Sequence, residues 1–398
     1  MASKRERNAR HFLPYKSSLN LLNTFAVRYP STFKSISLRY VIVAICLFTG
    51  IALASSAAAR AQSPLSSPVD FRAIDKLIEK EMAARNIPGL SLAIVRRGEL
   101  VYSKGFGVAN LEHAIPTTPD TVFAIASVSK PILAIAIGRL VEQGKLSWRD
   151  PISKYLPGTP ESWRNVTIAH LANHTSGIVR ESPKFDENAE IADFELIEAT
   201  FGVALAFPTG TKMQYCNICY FALAETITRV TGEPWPKFVK RELFDVAGMG
   251  DTRTTSVRDL VAKRAASYAW KDGSYSNVRE YVALRPSGAF LSTVVDLARF
   301  ESALYNGKLV SAKTLETLTT PTRLAGGEIG RMGNDPFGYG LGWDVGTLDG
   351  QLRVAHGGSL AGFRTMYARY PESGWAVILL ANSTTTRSFS LERLVAKL

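Results

Sequence analysis

The apolar positions of this chain are spaced as in a helix in some segments and as in a strand in others. Apolar side chains recur at helical intervals over residues 70–84, which predicts an amphipathic helix. Two apolar runs, 90–96 and 100–105, flank Gly98 and predict a β-hairpin. The same patterns predict four elements near the other end of the chain: strands at 352–356, 365–370 and 375–380, and a closing helix at 391–398.

Strands near both ends of the chain, with helical segments between them, indicate a split layout. We expect an α/β (α+β) fold in which one antiparallel sheet is built from both chain ends and is flanked by helices. A mostly helical lobe is expected as an insertion over about residues 147–282.

A hydroxyl and an amine stand three residues apart at Ser127 and Lys130, where an apolar run of helical density begins. Pro131 suits the first turn of such a helix, and residues i and i+3 share one helix face. A serine hydroxyl is a weak nucleophile unless a base lies beside it, and a desolvated lysine is such a base. The pair is a candidate nucleophile and base, although a surface serine near a surface lysine has the same spacing.

A turn-rich run, 208–217, precedes the apolar segment 220–230 and carries Tyr215 and Asn217 two residues apart. On an extended stretch, side chains at i and i+2 face the same way, so a phenol and an amide can enter one cleft. The phenol can relay a proton, and the amide can hold a substrate amide. Alternatively, the two residues only form the capped turn that opens a helix.

The strand-like segment 352–355 continues into His356, Gly357, Gly358 and Ser359. Glycine inside a strand marks a close backbone approach, here by a ligand. A strand edge of this kind offers N–H groups that stabilise an oxyanion. Alternatively, His356 is a strand histidine with a backbone hydrogen bond.

In this order, the three motifs resemble the signatures S-x-x-K, Y-x-N and K-T-G or H-x-G of the serine β-lactamase and penicillin-binding-protein superfamily. The resemblance is to its class C-like branch, which also holds D-Ala-D-Ala carboxypeptidases, D-aminopeptidases and carboxylesterases. It spans about residues 70–382. It implies a catalytic cleft between the sheet and the helical lobe.

The resemblance also implies a role for each motif residue. Ser127 is expected to be the acylated nucleophile, and its backbone N–H and that of Ser359 are expected to form the oxyanion hole. Lys130 and Tyr215 are expected to share proton transfer, and which of them is the acylation base stays open. Substrate binding is expected to involve Asn217, His356, Gly358 and Ser359.

These roles predict a serine hydrolase that forms an acyl-enzyme with a small ester, a D-amino-acid peptide or amide, or a β-lactam. β-Lactamases usually carry Lys and Thr where this chain has His356 and Gly357, and those side chains normally hold a substrate carboxylate. The H-x-G form is typical of esterase- and aminopeptidase-like relatives, so such activity is favoured over efficient β-lactam hydrolysis. The alternative is a penicillin- or cell-wall-binding module that does not turn over.

The first 61 residues differ in composition from the rest. An apolar core at 41–54, followed by Ala59, Arg60 and Ala61, predicts a signal peptide or leader, with the hydrolase domain at 62–398. We expect export to the periplasm or the exterior, with no membrane contact after cleavage. A membrane anchor, if the leader is uncleaved, and an organellar transit peptide are the alternatives.

Charge and the remaining residue clusters limit the partners. The leader holds nine of the 47 basic and one of the 35 acidic residues, so the net charge of +12 falls to +4 beyond it, and no nucleic-acid partner is expected. His170 and His174, four apart on a predicted helix, lack a third ligand nearby. We therefore expect no metal and no cofactor, and a small-molecule or peptide substrate as the partner.

Two further features leave alternatives open. Cys216 and Cys219 can form a redox pair in an exported protein, but two unbonded side chains packed beside the site are the favoured interpretation. The acidic stretch 181–198 is interpreted as a solvated surface. If this stretch borders the cleft, it disfavours anionic substrates.

Overall fold

The computed structural model describes residues 69–254, 258–282, 285–333 and 335–397. The helices are α1 (Phe71–Arg85), α2 (Ser129–Glu142), α3 (Ile168–Ala172), α4 (Asp193–Glu198), α5 (Ile218–Thr231), α6 (Trp235–Val239), α7 (Asp245–Ala247), α8 (Val294–Tyr305), α9 (Ala312–Leu318) and α10 (Ser388–Val395). The strands are β1 (Gly89–Arg96), β2 (Glu99–Asn110), β3 (Ile115–Pro116), β4 (Phe123–Ala124), β5 (Arg253–Thr254), β6 (Tyr268–Lys271), β7 (Ser274–Asn277), β8 (Phe290–Ser292), β9 (Gly338–Tyr339), β10 (Asp344–Leu348), β11 (Gln351–Leu360), β12 (Phe363–Tyr370) and β13 (Trp375–Ala381).

The leader predicted over residues 1–61 lies outside the described residues. Within the described ranges, no helix is both long enough and apolar enough to cross a membrane.

Eight of the described strands form one antiparallel sheet in the order β3-β2-β1-β13-β12-β11-β10-β9. Strand β1 pairs with β13, with Leu90 opposite Ala381 and Arg96 opposite Trp375. The two ends of the described chain therefore meet inside the sheet, as the strands predicted at both ends implied. Strand β12 pairs with β13 on one side and with β11 on the other. His356 lies on β11, opposite Tyr367, and is therefore part of this sheet.

Helices cover both faces of the sheet. Successive side chains of a strand point to opposite faces, and on β1 Leu90 and Leu92 join an apolar cluster with α1 and α10. Ala93 and Val95 join the larger cluster on the other face, which includes α2 and α8. Because both of its faces are buried, β1 is an almost continuous apolar run.

Residues 147–282 hold helices α3 to α7 and also three short strands. Strand β5 pairs with β8, and β6 and β7 form a hairpin. The prediction of a mostly helical lobe over this range did not include these strands. They are two to four residues long, too short for a periodic pattern to mark them.

A buried ion pair joins each face of the sheet to a helix. Arg369 on β12 lies with its Nε 2.6 Å from Oε2 of Glu301 on α8, and both side chains are 5% exposed. The Tyr367 hydroxyl also donates to Glu301. On the opposite face, Arg353 on β11 pairs with Glu392 on α10 at 2.8 Å. Each buried arginine charge therefore depends on its carboxylate partner as counterion.

We expect Glu301→Gln to lower the free energy of unfolding by about 3–5 kcal/mol, because it leaves the buried Arg369 charge without a counterion. Urea unfolding followed by tryptophan fluorescence measures this change. The control is Glu161→Gln, which breaks an ion pair with Arg164 whose side chains are 80% and 68% exposed. It should cost less than about 1 kcal/mol, and equal losses for the two variants contradict the prediction.

Candidate active site

Ser127 lies in a short 3₁₀ turn, Ala126–Val128, that leads directly into helix α2. The α-helix therefore begins just after Ser127 rather than at it. Ala126 has a φ of 51°, which is uncommon for a residue with a side chain. The Thr365 hydroxyl on β12 donates to the Ile125 carbonyl at 2.9 Å, so the turn that carries Ser127 is fixed to the sheet.

The Lys130 side chain is fully buried behind Ser127. Its Nζ lies 3.1 Å from the Ser127 Oγ and donates to the Ser287 carbonyl at 2.7 Å. It also lies over the rings of Tyr215 and Tyr220, 4.7 and 5.3 Å from their centroids. Burial lowers the pKa of Lys130 well below its usual 10.5. A neutral amine has a lone pair that can accept the Ser127 proton.

Tyr215 lies on the extended stretch before α5 and is hydrogen-bonded through its side chain to Ser127. Burial raises the pKa of this phenol above its usual 10, an effect that the Ser127 hydrogen bond opposes only in part. The phenol therefore keeps its proton at neutral pH and can donate it.

Asn217, two residues after Tyr215, comes directly before α5, but its side chain makes no capping hydrogen bond. Instead, its Nδ2 donates to Oε1 of Glu181. A capped helix start does not describe this side chain, because its amide is held at a cavity wall.

His174 packs against the Tyr215 ring, with 4.4 Å between the ring centroids. Its Nδ1 accepts a hydrogen bond from the backbone N–H of Cys216 at 3.1 Å, and burial lowers the pKa of His174 well below 6.5. The expected helix that carries both histidines is wrong, because α3 ends at Ala172 and His174 has a φ of 63°. Among the described residues, no three His, Cys, Asp or Glu side chains are grouped so that they could hold a metal ion.

Cys216 and Cys219 are joined in a disulfide at the start of α5. The favoured interpretation of two unbonded side chains was therefore wrong. Both residues are fully buried, so the bond lies in the protein interior directly beside Tyr215.

His356 on β11 is buried, with 4% of its surface exposed. Its Nε2 lies 3.0 Å from the Tyr339 hydroxyl and its Nδ1 2.6 Å from the Gly357 carbonyl oxygen. Burial, with a smaller effect of the nearby Lys130, lowers the pKa of His356 to about 3. The ring is therefore neutral at physiological pH.

Gly358 on β11 faces the turn that carries Ser127. A Cβ at this position would lie 2.4 Å from the Ile125 carbonyl oxygen and 2.1 Å from the Thr365 Oγ1. The close neighbour of this glycine is thus the protein's own backbone, where the sequence analysis expected a ligand. Only glycine lets the strand pack this closely against the turn.

A cavity of about 160 Å³ opens beside Ser127. Lys130, Tyr215 and His356 do not line this cavity, and Lys130 and His356 are buried. The structure therefore separates a buried set of proton-handling groups from an exposed wall. The wall includes Ser127, Asn217, Ser359, Arg180, Glu181 and Arg285.

The two charged residues Arg180 and Glu181 are part of the site, although the sequence assigned no individual role to either. Glu181 belongs to the acidic stretch that was interpreted as a solvated surface. It reaches the cavity because it contacts Asn217, 36 residues later in the chain. No local pattern in the sequence marks a contact between side chains this far apart.

Asp344 on β10 is a third residue that the sequence analysis did not identify. Burial raises the pKa of its carboxyl to about 7, with a further increase from Asp335 and an opposing effect of Arg353. Its charge contributes to the raised pKa values of Tyr215 and Tyr220.

Comparisons with known proteins identify the family of the chain. The family model described as Beta-lactamase matches residues 74–398. Penicillin-binding protein 4* of Bacillus subtilis is 31% identical over 310 residues, which are 72% of this chain and 66% of that protein. Esterase EstB of Burkholderia gladioli is 31% identical over 196 residues, 45% of this chain and 50% of that protein. The chain thus spans between half and two thirds of the length of these relatives.

A solved structure gives the same result for the fold. The octameric penicillin-binding protein homologue from Pyrococcus abyssi has a TM-score of 0.72 and 26% sequence identity, covering 82% of this chain and 77% of that one. This match confirms the expected fold class, an antiparallel sheet flanked by helices.

The raised pKa of Asp344 makes stability depend on pH. Because the pKa is about 7 in the folded protein and 3.8 as a model value, the folded state holds this proton to higher pH than the unfolded state. The contribution of this proton to the free energy of unfolding is complete below about pH 4 and is lost as the pH rises through 7. We expect Asp344→Asn to unfold at a higher urea concentration than wild type at pH 8, and this advantage to disappear at pH 4.

The control is Asp349→Asn, on the turn after β10, where the carboxylate is exposed and pairs with Lys397. It should show no such pH-dependent gain. A gain at pH 8 that Asp349→Asn reproduces, or that persists at pH 4, contradicts the assignment to Asp344.

Proposed function

The chain belongs to the beta-lactamase family, and we propose that it is a serine hydrolase that forms an acyl-enzyme at Ser127. The proposed substrates are small esters and D-amino-acid peptides or amides, with β-lactams as poorer substrates. The observation that carries the proposal is the Lys130 amine, fully buried and 3.1 Å from the Ser127 hydroxyl. The similarity to an esterase supports the hydrolase class.

In the proposed reaction, Lys130 accepts the Ser127 proton as Oγ forms a bond to the substrate carbonyl carbon. The backbone N–H groups of Ser127 and Ser359 stabilise the oxyanion. The bond to the leaving group then breaks as Tyr215 donates its proton to that group, and Tyr215 recovers a proton from the Lys130 ammonium. In the second half, Lys130 accepts a proton from water as the water oxygen bonds to the acyl carbon. The ester bond to Ser127 then breaks, the proton returns to the Ser127 Oγ, and the acid is released. Lys130 is the base in this scheme because its pKa is lowered, whereas the raised pKa of Tyr215 suits a donor.

The preference for uncharged substrates rests on His356. Since its ring is neutral, it offers one hydrogen bond where a lysine offers a permanent charge. Arg180, a cation on the cavity wall, lies with its Nε 3.6 Å from Oε1 of Glu181. Both features support weak anchoring of the carboxylate that penicillins and cephalosporins carry.

We also propose that the protein is exported. The Cys216–Cys219 disulfide supports this location, because such bonds persist in oxidising compartments.

We expect Ser127 to be the sole covalent site. A fluorophosphonate or penicillin probe should label it, and Ser127→Ala should abolish labelling and lower kcat by about three or more orders of magnitude. Intact-mass measurement and peptide mapping detect the adduct. Ser129→Ala is the control, because the Ser129 Oγ points away from the cavity and accepts from the Phe290 N–H at 3.2 Å.

Adducts that map to Ser129 or Ser359, or full labelling of Ser127→Ala, contradict the assignment. A single stoichiometric acylation of Ser127 without turnover of any ester, peptide or β-lactam identifies a non-turnover binding module instead.

We expect short-chain aryl esters to have a higher kcat/KM than any penicillin or cephalosporin. The double replacement His356→Lys with Gly357→Thr should shift the ratio toward the β-lactam by about ten- to a hundredfold, the value of one charge-assisted hydrogen bond. Gly357→Thr alone is the control, since a Cβ there meets only the flexible Met366 Cε at 3.3 Å and the Thr365 carbonyl oxygen at 3.7 Å. A cephalosporin that wild-type protein hydrolyses faster than every ester contradicts the preference.

A further inference from the structure

The wall of the cavity carries three charged side chains, and one of them is already neutralised by the protein. Arg285 donates through Nη1 to the Ile191 carbonyl at 2.6 Å and through Nη2 to the Ala189 carbonyl at 2.8 Å. It also lies 3.3 Å from the Asp193 carboxylate. The charges left to meet a substrate are therefore those of Arg180 and Glu181.

Of these two charges, that of Glu181 is the better fixed. The Asn217 Nδ2 donates to its Oε1, and Asn217 is anchored because its backbone N–H donates to the Arg180 carbonyl at 2.9 Å. The Arg180 guanidinium makes a longer contact, 3.6 Å, to the same oxygen, and its side chain is 59% exposed against 36% for Glu181. Within the described residues, no hydrogen bond reaches Oε2 of Glu181.

The contact with Glu181 also fixes which end of the Asn217 side-chain amide faces the carboxylate. An ionised carboxylate only accepts hydrogen bonds, so the amide must turn its NH₂ group, not its oxygen, toward Glu181. A substrate carbonyl that approached this NH₂ group would place its oxygen beside the carboxylate oxygens of Glu181. Both are hydrogen-bond acceptors, so they would repel each other. A group that donates hydrogen bonds avoids this repulsion, and a positively charged donor is attracted.

We propose that Glu181, held by Asn217, forms a subsite for a protonated amine of the substrate, next to the carbonyl that Ser127 attacks. The inference rests on the proposed function and narrows its substrates to α-amino esters and amides. It gives one residue of the acidic stretch 181–198 a specific role, because Glu181 receives the ammonium group of the substrate.

The test compares three methyl esters that share one skeleton and differ in a single substituent on the α-carbon: ammonium in alanine methyl ester, methyl in methyl isobutyrate, and carboxylate in the half-ester of methylmalonic acid. Both alanine enantiomers are assayed. At pH 6.5 an α-amino group with a pKa of about 7.7–8.0 is mostly protonated. We expect kcat/KM to be about ten- to a hundredfold higher for one or both alanine esters than for isobutyrate, and lowest for the carboxylate.

Glu181→Gln should lower the ammonium-to-methyl ratio by about ten- to a hundredfold, because it removes the contribution of the carboxylate and leaves only the intrinsic reactivity of the two esters. The matched control is Glu195→Gln, which removes the same charge from the same acidic stretch at an exposed ion pair with Lys184. It should leave the ratio at its wild-type value. A wild-type ratio near one, a preference for the carboxylate ester, or a ratio that Glu181→Gln does not change overturns the proposal.

A second measurement separates this inference from the hydrolase proposal. Calorimetric binding of alaninamide and isobutyramide to Ser127→Ala requires no turnover, and alaninamide should bind at least about tenfold more tightly. Equal affinities overturn the subsite even if the esters are hydrolysed. Tighter binding of alaninamide without hydrolysis of any ester keeps the subsite and rejects only the hydrolase.

Discussion

The burial of the Lys130 amine is the constraint on which the site depends. Burying an ammonium ion without a carboxylate partner costs several kcal/mol, so the group loses its proton instead. The faces of Tyr215 and Tyr220 attract a cation, but such contacts contribute only about 2 kcal/mol even when desolvated. Desolvation is therefore the larger effect, and it favours the neutral form of the amine beside the Ser127 hydroxyl.

That geometry is held by packing between the sheet and the turn before α2. Ala126 adopts a left-handed backbone conformation, which costs about 1–2 kcal/mol for a residue with a side chain. Such strain persists only where the surroundings determine the conformation. Here Gly358 leaves no space between β11 and the Ile125 carbonyl, and the Thr365 hydroxyl binds the same carbonyl. The sheet, rather than the helix, therefore fixes Ser127.

The parts of the site that follow from local chain geometry could be predicted from the sequence, and the parts that follow from long-range contacts could not. The spacing of Ser127 and Lys130 is a property of one turn, and the structure places the two groups in contact. The strands at 90–96 and 375–380 follow from apolar periodicity. In contrast, His174 leaves its helix early and contacts Tyr215 across 41 residues, and the Glu181 contact with Asn217 links two loops. The spacing of Cys216 and Cys219 fits both a disulfide and free thiols, so only the structure could decide.

Burial disfavours a charge on the interior groups of the site, and this affects how the site can distinguish substrates. Burial is the main cause of the lowered pKa of His356, and repulsion from the nearby Lys130 adds a smaller effect. A lysine at position 356 would face the same repulsion, and either it or Lys130 would be neutral. The residue at 356 therefore affects both the base and the anchoring of a carboxylate. With histidine there, position 356 supplies no fixed positive charge, and discrimination by charge falls to Arg180 and Glu181 on the wall.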